Sequence, residues 1–158
     1  MFIPQNLPIV QAIAPQTTNG AVTGDYISLK NAIKAWIVVH LTQAAAHATA
    51  ITVEQATVVA GTDDKAITNV VPIWANEDTA TSDALVRQTD AVSYTVTADV
   101  KNKIVIFQID PATLDMANGF DCIVVKTAAS SEVTNLVCAE YLLETKYSQA
   151  TPPTAITD

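Results

Sequence analysis

The sequence predicts a mainly β, single-domain, two-sheet sandwich or jelly roll of about eight strands, and three observations predict it. Thr, Val and Ile number 21, 18 and 14 among 158 residues, and their β-branched side chains suit a pleated strand better than a helix. Apolar stretches recur at strand length with turn-forming residues between them. Hydrophobic residues reach 49% while charged residues are only 15%, against roughly 25% in an average soluble domain, so Ala and Thr stand where Lys and Glu usually coat a surface. The length fits one domain with a sizeable core.

Residues 1–25 carry Pro4, Pro8, Pro15, Gly20 and Gly24, which predicts an extended N-terminal arm. The sandwich is expected over residues 26–147. Tyr26–Leu29 is the first candidate strand, and Ala35–Thr42, reading Ala-Trp-Ile-Val-Val-His-Leu-Thr, is the strongest. Ala50–Val59 alternates Ile51 and Val53 against Thr52 and Glu54 before a turn at Gly61-Thr62-Asp63-Asp64. A strand over Ala66–Trp74 is confined by Pro72 to an edge or a bulge. Ala75–Ala91 is polar apart from Leu85-Val86, a long loop of the kind that carries contacts.

Val92–Thr97 alternates Val92, Tyr94 and Val96 against Ser93, Thr95 and Thr97, a half-buried strand. Ile104–Ile109 is apolar on both faces except at Gln108, a strand covered by the core on one side and by something else, such as another subunit, on the other. Asp110-Pro111 to Gly119 reads as a short helix or turn with its cap, first residue and terminator in place. Phe120–Thr127 and Asn135–Thr145 complete the set. Residues 148–158, with Pro152 and Pro153, form a Pro-stiffened C-terminal tail that reaches rather than folds.

The net charge is −8, from 8 Lys+Arg against 16 Asp+Glu, and no basic cluster occurs. Direct binding of nucleic acid or of an anionic membrane surface is therefore disfavoured. No apolar run approaches the ~20 residues of a membrane span, and Met1–Asn6 lacks the pattern of a secretory leader. Cys122 and Cys138, with no CxxC spacing, read as two buried thiols in a reducing compartment.

Catalytic parts are missing. His40 reads as a packed strand histidine and His47 as an exposed one, neither with further ligands at zinc spacing. No nucleophile elbow, phosphate cradle or HExxH run occurs. Glu77, Asp78 and Asp83 lack EF-hand spacing, and Asp63-Asp64 and Asp110/Asp115 are placed as turn residues. No enzyme activity and no cofactor or metal are expected. Core packing is the default for the aromatics, but Trp74, at the mouth of the long loop, is equally an interface anchor. The candidate protein-interface residues are Trp74, Asn76, Glu77, Asp78, Leu85, Ile104 and Ile106.

Four segments carry a resemblance: Tyr26–His40 (YISLKNAIKAWIVVH), Pro72–Asp78 (PIWANED), Lys101–Pro111 (KNKIVIFQIDP) and Gly119–Ile123 (GFDCI). Together they resemble a family of small virion structural proteins of tailed phages and prophages, over most of the chain from Tyr26 onward. The resemblance implies a capsid decoration or cement protein with a jelly-roll-type sandwich, made in the host cytoplasm and residing on the capsid surface. Its implied partners are the major capsid protein and further copies of itself, as a homo-oligomer such as a trimer. No site residues transfer, because such proteins act by contact; the arm is expected to lie across a neighbouring subunit. A neck or tail component is the alternative within the virion, and a carbohydrate-binding β-sandwich using Trp74-Ala75-Asn76-Glu77-Asp78 is the alternative of another class.

Overall fold

The computed structural model describes residues 5–147 and 149–157. They form two antiparallel sheets packed face to face, with no helix beyond two short 3-10 turns among them. The first sheet is built from β1 (Ile9–Thr17), β4 (Ala32–Thr42), β7 (Ile73–Asn76), β8 (Val86–Arg87), β10 (Asn102–Ile109) and β12 (Leu136–Thr145), in the order β1-β12-β4-β10-β7-β8. The second holds β2 (Val22–Thr23), β3 (Ile27–Ser28), β5 (Ala50–Ala56), β6 (Lys65–Ala66), β9 (Ser93–Thr95) and β11 (Cys122–Thr127), in the order β2-β11-β5-β6, with β3 also on β11 and β9 on β5. The single sandwich predicted from composition is therefore present. It has twelve strands rather than about eight because four of them are only two residues long.

Strict alternation builds the core. From the first sheet Ala35, Ile37, Val39, Val105, Phe107, Ile109, Ala139 and Tyr141 point inward, each fully buried. Ile51, Val53, Ile123 and Val125 answer from the second. Tyr141 joins the two layers: its hydroxyl donates to the Asp25 carbonyl at 2.9 Å and accepts from the Val125 N–H at 3.0 Å. A buried phenol needs such partners, and burial raises its pKa.

Two expectations about the ends are corrected. Within residues 1–25, of which Met1–Pro4 lie outside the described residues, Ile9–Thr17 is an edge strand of the first sheet, paired with β12 from Ile9↔Leu142 to Thr17↔Leu136. Val22–Thr23 pairs with β11. Pro15 is accommodated because the strand lies at an edge and its register shifts twice, between Gln11 and Ile13 and between Ile13 and Gln16. Gly24 permits the return crossing, since a Cβ there would lie 2.8 Å from the Ala12 carbonyl oxygen. The C-terminal tail also folds back: the Ser28 N–H donates to the Ala155 carbonyl at 2.7 Å, and Ala155 packs against the core.

The single strand expected over Ala66–Trp74 is corrected: β6 ends at Ala66 in the second sheet and β7 begins at Ile73 in the first, with the crossing between them ending at Pro72, whose carbonyl accepts from the Gln108 N–H at 3.0 Å. The turn expectations hold. Asp110 caps a 3-10 turn through its Oδ1, which accepts from the Ala112 N–H at 2.9 Å, and Gly119 closes the next at φ +82°. The turn after β5 uses Gly61 at φ +76° and Asp63 at φ +56°.

Candidate protein-interaction surface

The residues that alternate with the core in β4, β10 and β12 build the outer face of the first sheet. Antiparallel register sets them in rows. The middle row crosses all six strands as Gln11, Glu140, Val38, Ile106, Trp74 and Arg87. One flanking row runs Ile9, Leu142, Trp36, Gln108, and the other Cys138, His40, Ile104, Asn76. Trp36, Val38, Trp74, Ile104, Ile106 and Leu142 are each only partly buried, so the face is apolar and open. A contiguous apolar patch on a soluble domain marks a contact surface rather than scattered exposure.

Three of the sequence-derived candidates come together here: Trp74 and Ile106 are directly paired, with Ile104 one row away. Arg87 caps the edge, its guanidinium carbon 4.8 Å from the centre of the Trp74 ring, a cation–π contact. Arg87 also donates to the Ile73 and Gln88 carbonyls and pairs with Asp90. Leu85, 42% exposed, lies in the loop before β8.

The other three are used internally. Asn76 is buried, its Nδ2 donating to the Ser82 carbonyl at 2.8 Å and its Oδ1 accepting from the Asp78 N–H at 2.9 Å. Asp78 pairs with Lys101 at 2.9 Å, which lowers its pKa and raises that of Lys101. Glu77 accepts from the Tyr94 hydroxyl at 2.8 Å, from Thr97, and from Lys103 at 2.9 Å. Burial pushes the Glu77 carboxyl up, but the hydrogen bonds from Lys103 and Tyr94 and the lysine charge outweigh it, and its pKa is lowered. These groups shape the loop and tie it to both sheets. Asn76, Glu77 and Asp78 are thus engaged in the loop's own hydrogen bonds and ion pairs, and Arg87 lies over the indole of Trp74.

Several sequence readings change. Trp36 packs outward, not into the core, because it alternates with buried Ala35 and Ile37. His40, expected to be packed, is exposed on the same face for the same reason. His47 is half-buried, its Nδ1 3.4 Å from Thr49 Oγ1. Both cysteines remain thiols, Cys122 buried but Cys138 only partly so. Burial and the Glu140 charge push the Cys138 thiol up, which keeps it in its poorly nucleophilic form. The signal that could have found the outward residues Val38, Glu140 and Leu142 is strand parity within β4 and β12; Arg87, in the two-residue β8, carries no such signal.

Two further features lie elsewhere. On the second sheet Lys126 bridges Glu54 and Asp64, and Tyr26 donates to Asp64 at 2.8 Å. At the β1 edge a groove of about 450 Å³ is walled by Ile9, Val10 and Leu143 on one side and by Pro152–Thr157 of the tail on the other. Among the described residues no three His, Cys, Asp or Glu side chains group as metal ligands.

No family model and no curated protein matches the chain. Among solved structures the fold is similar to that of the SPBc2 prophage-derived protein YomS. The TM-score is 0.50 at 12% sequence identity, covering 90% of this chain and 96% of that one. At this identity the likeness is one of fold.

Proposed function

We propose that this protein is a structural component of a tailed-phage or prophage virion, and more specifically a head decoration or cement protein that binds the capsid exterior and bridges neighbouring capsid subunits. The observation that carries the reading is the open apolar face centred on Ile106 and Trp74, displayed by a sandwich onto which Ile9–Thr17 and Ala155 are bonded. The prophage origin of a protein with a similar fold supports the phage setting. The role is non-catalytic and needs no cofactor; the partners are the major capsid protein and further copies of this chain, on a particle assembled in the host cytoplasm.

The mechanism is reinforcement by contact area. A specific interface of standard size buries about 1,600 Å², and a subunit touching two neighbours on a fixed lattice gains the second contact at high effective concentration.

Imaging of purified particles tests this. The expected result is density repeated over the shell exterior, and particles lacking the protein that break at lower temperature and under milder osmotic shock. A ring at the neck or tail would replace the decoration role by the alternative one, and absence from particles would overturn the virion assignment.

A further inference from the structure

We infer that the outer face of the first sheet binds a second copy of this chain, about a two-fold axis that runs close to β10. The inference rests on reading that face as an interaction surface, and names its partner.

Charge complementarity across the face points to this partner. In the middle row the strands β12, β4, β10, β7 and β8 carry Glu140, Val38, Ile106, Trp74 and Arg87. Ile106 is the centre of that series, with Glu140 two strands to one side and Arg87 two strands to the other. Strands lie about 4.8 Å apart, so the two charges stand roughly 10 Å on either side of the centre. A two-fold axis lying in the interface along β10 sets Ile106 against its own copy and Val38 against Trp74 of the second copy. It also sets Glu140 against Arg87 of the second copy, twice. The face is thus self-complementary in shape class and in sign, as an isologous interface requires.

Glu140 has the freedom to take part: it is exposed and forms no ion pair among the described residues. Arg87 lies over Trp74 with Nη1 on the Ile73 and Gln88 carbonyls and Nη2 on Asp90, so an approaching Glu140 of the second copy would share it with Asp90. About this axis five strands meet their counterparts over three rows of outward residues, about 490 Å² per copy or about 1,000 Å² in total, the lower end for a specific interface.

Sedimentation velocity on the purified chain tests the inference. The wild-type chain is expected at twice the mass of one chain at micromolar concentration. Glu140→Arg sets Arg against Arg, and Arg87→Glu sets Glu against Glu; each should weaken the dimer at least tenfold. Mixing the two single variants restores both opposite-charge pairs, so the mixture should recover the dimer mass although neither component does so alone. Misfolding of either variant could not produce that recovery. A wild-type chain that stays at single mass at about 100 μM overturns the inference, as does a mixture that stays monomeric.

Pull-down on assembled shells separates this from the virion reading. A dimer that ignores shells keeps the inference and removes the cement role. A monomer whose shell binding is abolished by Trp74→Ala gives the face to the capsid protein and overturns the inference.

Discussion

Replacing Lys103 by Met should cost about 3 kcal/mol, and the reason lies in where its amine sits. The side chain is fully buried, and its Nζ meets Glu77 Oε2 at 2.9 Å, the Thr97 carbonyl at 2.6 Å and Thr97 Oγ1 at 2.7 Å. Removing one partner of a buried pair typically costs about 3–5 kcal/mol, because the other charge is left unpaired. Glu77 is 27% exposed, so water relieves part of that penalty and the lower end applies. In a domain of this length about 3 kcal/mol corresponds to a melting-temperature drop of roughly 6–12 °C.

Urea denaturation at constant slope measures the loss. The double variant Lys103→Met/Glu77→Gln should recover about half of it, since no unpaired charge remains, and its loss should fall short of the sum of the two single losses by more than about 1.5 kcal/mol. Acid supplies an independent reading. The folded pKa of Glu77 is held below its ordinary 4.5, so the stability the pair contributes is complete above that value and is lost as the pH falls through the depressed folded one. The gap between wild type and Lys103→Met should narrow over that window. A single variant within 0.5 kcal/mol of wild type, or strict additivity in the cycle, would refute the account of Lys103 as the clamp between loop and sheets.

Three other outcomes are expected. Tyr141→Phe leaves the Asp25 carbonyl and the Val125 N–H without their bridge, a loss of about 2–4 kcal/mol in the same urea assay. The Asp64 carboxyl, held by Lys126, Tyr26 and Glu54, should titrate at about 2 by NMR, so its share of stability is present above pH 3.8 and disappears as pH falls through 2; Lys126→Met should move the titration back up toward 3.8. Gly119→Ala forces Ala into the left-handed region in open space, costing roughly 1–2 kcal/mol. Gly61→Ala should cost more, because its Cβ would also fall 2.8 Å from the Tyr26 ring.

What the sequence made legible was decided by local pattern. β4 and β10 could be read because Ala35–Thr42 and Ile104–Ile109 are apolar at nearly every position, and the fold class followed from such strands. Partnership was not legible. Ile9–Thr17 pairs with a strand more than a hundred residues away, and no local signal encodes that register, so Pro15 looked like the mark of an arm when it was the mark of an edge. Trp74, Ile104 and Ile106 met because the β7–β10 register aligned them. Asn76, Glu77 and Asp78 were drawn into the loop's own hydrogen bonds, the usual fate of polar residues beside a turn.

The folded ends also change how a cement role would work. An arm that lies across a neighbour must be free of its own domain, yet β1 pairs along its length with β12 and the tail is bonded at Ser28. Releasing β1 would expose the buried Ala12 and Ile13 and the inner row of β12. At about 25 cal/mol per Å² of apolar surface, that is several kcal/mol to be recovered before any neighbour is gained. The outer face of the first sheet carries no such cost: Trp36, Val38, Ile106 and Trp74 are already partly exposed. A cement role would therefore use a preformed face rather than a released arm, with Arg87 of the two-residue edge strand β8 at its rim.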